Sequence, residues 1–124
     1  MQAMLIAAGG AIGTLLRWQI GSWVEGANGG IFPRGTLLVN VSGAFIAGLL
    51  ATLLLERFEL PVELRTAILV GVLGGYTTFS AFSVDTLNLT NEGEWAVAAL
   101  NVAASVAAAM VAVWVGQAVA RLWT

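Results

Sequence analysis

Hydrophobic and polar positions divide this chain into four long apolar runs separated by three short polar ones. The apolar runs cover about residues 3–24, 36–55, 66–84 and 95–120. Each reaches or approaches the roughly 20 apolar residues that an α-helix needs to cross a hydrocarbon core. Between them, residues 25–35 are polar and glycine-rich, 56–63 carry charges and Pro61, and 85–94 hold three acids and two asparagines. This pattern predicts an all-α integral membrane protein, a single four-helix transmembrane domain over residues 1–124. Both termini fall on the same side, and no segment is left over for a soluble domain.

The third run departs from the others. Its middle is built from poor helix formers, Gly74, Gly75, Tyr76, Thr77 and Thr78. In a bilayer, backbone groups released from a helix must find partners within the protein or in a water-filled cavity. The third helix is therefore predicted to be broken near mid-membrane, at an ion or substrate site. The bare carbonyls of such a break suit a hard cation such as Na+.

Composition supports the membrane reading. The chain is 59% hydrophobic and 10% charged, with a mean hydropathy of +0.90. A soluble domain of this size needs more polar surface than that. All five basic residues are arginine, and the net charge of -2 offers no basic field for nucleic acid. Cysteine and histidine are absent, and no carboxylate pair or phosphate-binding loop falls in a span, so an enzyme is not expected. Residues 1–21 lack the basic start of a cleaved signal peptide. Trp18, Trp23, Trp95, Trp114 and Trp123 mostly fall near span ends, where aromatic belts form. The termini side carries Arg57, Arg65 and Arg121 against Arg34 alone on the other, a slight bias toward termini inside that leaves insertion both ways open.

A few polar residues inside the spans need partners. Arg17 follows Gly13 by four residues and Gly9 by eight, so all three share a helical face. Arg17 either points into that packing face or snorkels to a headgroup. Small residues recur at Gly9, Gly13, Gly43, Ala44, Ala47 and Gly48, and their abundance points to packing against a second copy. Thr36, Asn40 and Gly43 share a face of the second span, where Asn40 either glues helices or turns its amide donors toward an anion. Phe79, Phe82 and Ser83 lie within one turn, with Ser80 beside them; the rings either face lipid or core, or turn their positive edges toward an anion that ring faces repel. Asn101 and Ser105 form a short polar track on the fourth span that Ala109 continues without a polar group. Asp85 and the acids of 92–94 read as solvated loop charges.

Three stretches together resemble a known family. Gly9-Gly10-Ala11-Ile12-Gly13 with Arg17-Trp18, Gly35-Thr36-Leu37-Leu38-Val39-Asn40-Val41-Ser42-Gly43-Ala44-Phe45, and Gly74-Gly75-Tyr76-Thr77-Thr78-Phe79-Ser80-Ala81-Phe82-Ser83 are similar to the motifs of the Fluc (CrcB-type) fluoride ion channel family. The resemblance implies an antiparallel, dual-topology homodimer in the cell membrane that passively exports fluoride through two pores. It implies that Asn40, Phe79, Phe82, Ser80, Ser105 and Thr36 line the fluoride pore and that Arg17 lies toward a vestibule. It also implies that the backbone carbonyls of Gly74 and Thr77 hold a central structural Na+. The implied partners are fluoride, Na+, a second copy of the chain and the lipid bilayer, with no nucleic acid. The fourth span matches least, with Asn101 as a substitute donor and Ala109 unable to be one.

Two other readings compete. A small multidrug-type proton-coupled exporter resembles this architecture but needs an acid in the first helix, and residues 5–23 contain none. In a non-transporting membrane scaffold, Asn40, Arg17 and the glycine pair would serve packing alone.

Overall fold

The computed structural model describes residues Met1–Thr124, the side chain of Asn28 excepted, and among the described residues its regular structure is all helical, without strands. Helix α1 spans Gln2–Asn28 and α2 spans Arg34–Glu56. Helix α3, residues 62–76, joins Val62–Thr66, a π-helical stretch Ala67–Val72 and Leu73–Tyr76. Helix α4 is Phe79–Asn91 and α5 is Trp95–Arg121. Four segments, Gln2–Ala27, Arg34–Glu56, Val62–Asn91 and Trp95–Arg121, are long and apolar enough to cross a membrane.

The helices outrun the apolar pattern at their ends. Helix α1 continues past Glu25 and stops at Gly29, whose φ of 64° is left-handed and free of Cβ strain in glycine. The stretch read as a loop from Asp85 is helical as far as Asn91, and the turn that follows uses Gly93 at φ 80°. Asp85 is accordingly not a solvated loop charge. It is half-buried inside α4, where its Oδ2 accepts a hydrogen bond from Thr36 Oγ1 at 2.8 Å. Glu25 is likewise helical, and its Oε1 accepts from the Gly35 amide in the first turn of α2. A helix start leaves such amides without intrahelical acceptors, and this carboxylate satisfies one of them.

Two close helix pairs make the bundle: α1 lies along α3, and α2 lies along α5. Glycines set both distances. A Cβ on Gly9 would reach 2.6 Å from Ala67 O, and one on Gly13 would overlap Val72 O. From the other side, a Cβ on Gly71 would meet Ile6 O at 2.8 Å and one on Gly75 would meet Gly10 O at 2.6 Å. In the second pair, Gly48 faces Val113 O and Gly116 faces Phe45 O, and neither site has room for a methyl group. Small residues let membrane helices approach until backbones touch. Gly9, Gly13 and Gly48 are thus spent within one chain, where their abundance had pointed to packing against a second copy.

The backbone leaves the helix at a different place from the glycine pair. Gly74 and Gly75 are helical, within Leu73–Tyr76. The extended residues are Thr77 (φ −80°, ψ 154°) and Thr78 (φ −150°, ψ 120°). Gly75 owes its identity to the contact with Gly10. A side chain at Gly74 would meet nothing within 4 Å.

The surface around the bundle is apolar. Trp18, Trp23, Trp95, Trp114 and Trp123 are all exposed, together with leucines, valines and isoleucines from every span. Exposed apolar area of this extent requires a cover other than water.

The helix contacts carry a stability prediction. Gly116→Ala forces α2 and α5 apart and is expected to cost about 1–3 kcal/mol, the usual range for overpacking. Gly26→Ala, where a Cβ meets nothing within 4 Å, is expected to be neutral or slightly stabilising. Unfolding of the detergent-solubilised protein compares the two; equal stability would remove close packing as the reason for Gly116.

Candidate functional site

Two adjacent extended residues in a membrane-length segment create a hydrogen-bonding problem, and α2 solves it. Asn40 reaches across to Thr78 with both ends of its amide. Its Nδ2 donates to Thr78 O at 2.8 Å, and its Oδ1 accepts from Thr78 N at 2.7 Å. The side chain replaces both a donor and an acceptor of the missing helical ladder. The site needs an amide: a carboxylate has no donor and an apolar side chain has neither group. One N–H of Asn40 Nδ2 remains beyond the bond to Thr78.

The residues on either side complete the arrangement. Thr78 caps α4 by accepting from Ala81 N on its Oγ1 at 3.1 Å. Thr77 bends its hydroxyl back to Leu73 O at 3.0 Å. Gly75 O, which a continuous helix would pair with the amide four residues on, accepts from Arg17 Nε at 3.1 Å. Gly9, Gly13 and Arg17 therefore do share the face of α1 that meets α3, and Arg17 points into the protein at this height. Two carbonyls keep no helical donor. The amide of Thr78 goes to Asn40 and not to Gly74 O, and that of Ala81 goes to Thr78 Oγ1 and not to Thr77 O.

Beside this junction lies a cavity of about 660 Å³ between α2, α3, α4 and α5. Asn40, Thr77, Thr78, Phe79, Phe82 and Ser105 border it, and the remainder of its wall is apolar, without an ionisable side chain. Of the six residues expected in the pore, it gathers Asn40, Phe79, Phe82 and Ser105. The two phenylalanine rings stand 5.2 Å apart at 48°. They differ in cover, Phe82 being 7% exposed and Phe79 75%.

Ser80 and Thr36 lie elsewhere. Ser80 is exposed, with its Oγ 3.2 Å from Thr78 Oγ1. Thr36 borders a second pocket of about 310 Å³ with Glu25, Asp85, Asn88 and Glu92. Its hydroxyl proton is committed to Asp85, and these acids give the pocket a polarity unlike that of the first cavity.

The polar track on α5 extends onto α4. Ser105 Oγ donates to Asn101 Oδ1 at 3.2 Å, and Asn101 Nδ2 donates to Thr86 Oγ1 at 3.0 Å. Thr86 in turn donates to Phe82 O at 2.8 Å. Sequence reasoning missed Thr86 because it falls in the stretch taken for a loop. It also missed the link between Ser42 and Tyr76, whose hydroxyl oxygens are 2.9 Å apart. Ser42 donates to Val39 O at 3.1 Å, which leaves Tyr76 to donate to Ser42.

Asn40→Ala strands the Thr78 amide and carbonyl, and is expected to destabilise the fold by about 2 kcal/mol or more. Asn88→Ala, at an exposed position, should stay within about 0.5 kcal/mol of the parent. Denaturant unfolding in detergent measures both, and matching midpoints would show that Asn40 does not support Thr78.

Comparison with known proteins adds identity to this geometry. Residues 4–117 match the family model described as CrcB-like protein, Camphor Resistance (CrcB). A protein of Rhizobium leguminosarum bv. trifolii named fluoride-specific ion channel FluC is 49% identical over 121 residues, covering 98% of this chain and 97% of its own length. A protein of the same name in Magnetococcus marinus is 45% identical over 122 residues, covering 98% of this chain and 99% of its own. One in Methylococcus capsulatus is 51% identical over 116 residues, which are 94% of this chain but 51% of that protein. These names describe channels, a class that is not enzymatic. Matched from residue 4 to residue 117 and across nearly the whole of most of these relatives, the chain is a multi-pass membrane protein that belongs to the CrcB-like family.

Proposed function

We propose that this protein is a fluoride-selective channel of the cell membrane, and that fluoride passes along the cavity bordered by Asn40, Phe79, Phe82 and Ser105. The observation that carries the reading is a lining with hydrogen-bond donors and ring edges but no ionisable group. Fluoride holds its water strongly, so a path must replace that hydration. Conduction also requires binding weak enough for release, which a fixed positive charge in a narrow site would oppose. Asn40 has one N–H left to offer, and the aromatic edges add positive potential. The first turn of α4 places the positive end of a helix beside them.

The same reading includes two copies of the chain, antiparallel, with a Na+ between them. Gly74 and Thr77 fit a hard cation, since both carbonyls lack a helical donor and Gly74 is exposed without a Cβ to obstruct it. Two oxygens are fewer than such a cation needs, so a second copy would supply the rest. Bound there, the ion would add positive potential beside each path. The exposure of Phe79 is consistent with a surface that another copy completes. Thr36 and Ser80 belong in this scheme to the approaches, and Arg17 positions the junction through Gly75 O.

Efflux from liposomes holding the purified protein tests the function. Fast fluoride release with no chloride release is expected; no release, or release only against a proton gradient, would overturn it. Phe79→Ile should abolish fluoride flux with the fold retained, and normal conduction by that variant would remove the ring from the path. Replacing Na+ by a bulky organic cation should weaken the dimer or stop the flux, and indifference would remove the ion.

A further inference from the structure

The hydrogen bonds behind Ser105 run in the wrong direction for an anion. Ser105 gives its proton to Asn101, Asn101 gives one to Thr86, and Thr86 gives one to Phe82 O. The first two donations lead away from the cavity wall and the third ends on the backbone carbonyl of Phe82, so Ser105, its proton committed to Asn101, has only lone pairs left for the cavity. Asn101 is 1% exposed, which leaves no solvent to take over either end of its amide.

We propose that Thr86, Asn101 and Ser105 form a reversible relay in which Thr86 and Asn101 position the Ser105 proton toward the passing anion. The inference rests on the reading of this cavity as the fluoride path. Each member both donates and accepts, so the chain is satisfied in either direction. In the reversed state Ser105 donates to the anion and accepts from Asn101 Nδ2. The Asn101 amide turns by half a rotation, a change that leaves its shape the same. Its Oδ1 then accepts from Thr86 Oγ1, whose proton leaves Phe82 O. That carbonyl lies in α4 and keeps its helical partner, the amide of Thr86, so no buried group is stranded. A serine with an apolar neighbour could also rotate its proton toward the anion, but nothing would then hold its oxygen. Here the rotation is coupled to two residues outside the cavity wall.

The test is a double-mutant cycle read as fluoride efflux from liposomes, with the wild-type chain as reference. Thr86→Val keeps the shape and removes the hydroxyl. It should slow efflux roughly tenfold or more, the factor expected when one hydrogen bond to a charged group is lost. Ser105→Ala should do the same, and the double variant should be no slower than the slower single one, because the two act through one chain. Thr86→Ser should restore efflux. A second readout needs no variant: exchanging gluconate for fluoride should shift the side-chain amide resonance of Asn101 in protein labelled with ¹⁵N asparagine. Full-rate efflux by Thr86→Val, multiplying effects in the double variant, or an Asn101 resonance indifferent to fluoride would each overturn the relay. Wild-type protein that passes no fluoride would overturn the channel reading itself, a result distinct from these.

Discussion

Everything near the centre of this molecule depends on satisfying the backbone of Thr77 and Thr78. An extended dipeptide inside an apolar segment exposes amides and carbonyls that lipid cannot serve. Asn40 takes both polar groups of Thr78, Thr78 caps the helix that follows, and Arg17 takes the carbonyl of Gly75. These bonds tie α1 and α2 to the junction between α3 and α4. The close glycine contacts of α1 with α3 make the Arg17 bond possible, since a wider separation would carry its guanidinium away from Gly75.

The carbonyls left over are as informative as the bonds that are made. Once Thr78 N turns to Asn40 and Ala81 N to Thr78 Oγ1, Gly74 O and Thr77 O have lost their helical donors. Carbonyls at the end of one helix and amides at the start of the next lie close together, so the junction is attractive to a cation on one side and to an anion on the other. On the proposed reading, this separation of polarity would let a neutral cavity meet ions without a buried charge of its own. Two acids of α1 and α4 are occupied elsewhere. Asp85 is paired with Thr36 and Glu25 with the amide of Gly35, both away from the cavity wall.

Much of this was legible in the sequence, and the misses have physical causes. Span number and approximate limits follow from apolar run length, because a bilayer fixes that length. The shared face of Gly9, Gly13 and Arg17 follows from helical period alone. The break was expected within Gly74–Thr78, which does hold the extended residues, but their place inside that stretch does not follow: glycine weakens a helix and also permits close packing, and Gly75 serves the second role against Gly10 O. The threonines, with Asn40 opposite them, were the better signal. Helix α4 runs past Asp85, whose partner Thr36 lies 49 residues earlier in the chain, and no local pattern reports such a pairing. The π-helical stretch Ala67–Val72 shifts the helical period, but it has no polar residue that could register the shift in the sequence pattern.

The central claim is that this junction serves a passive path selective for fluoride. Current recorded from the protein in a planar bilayer, with fluoride and chloride gradients set in opposition, tests it most directly. The account predicts current that reverses at the equilibrium potential of fluoride. Reversal at the chloride or proton potential, or the absence of current from folded protein, would contradict it.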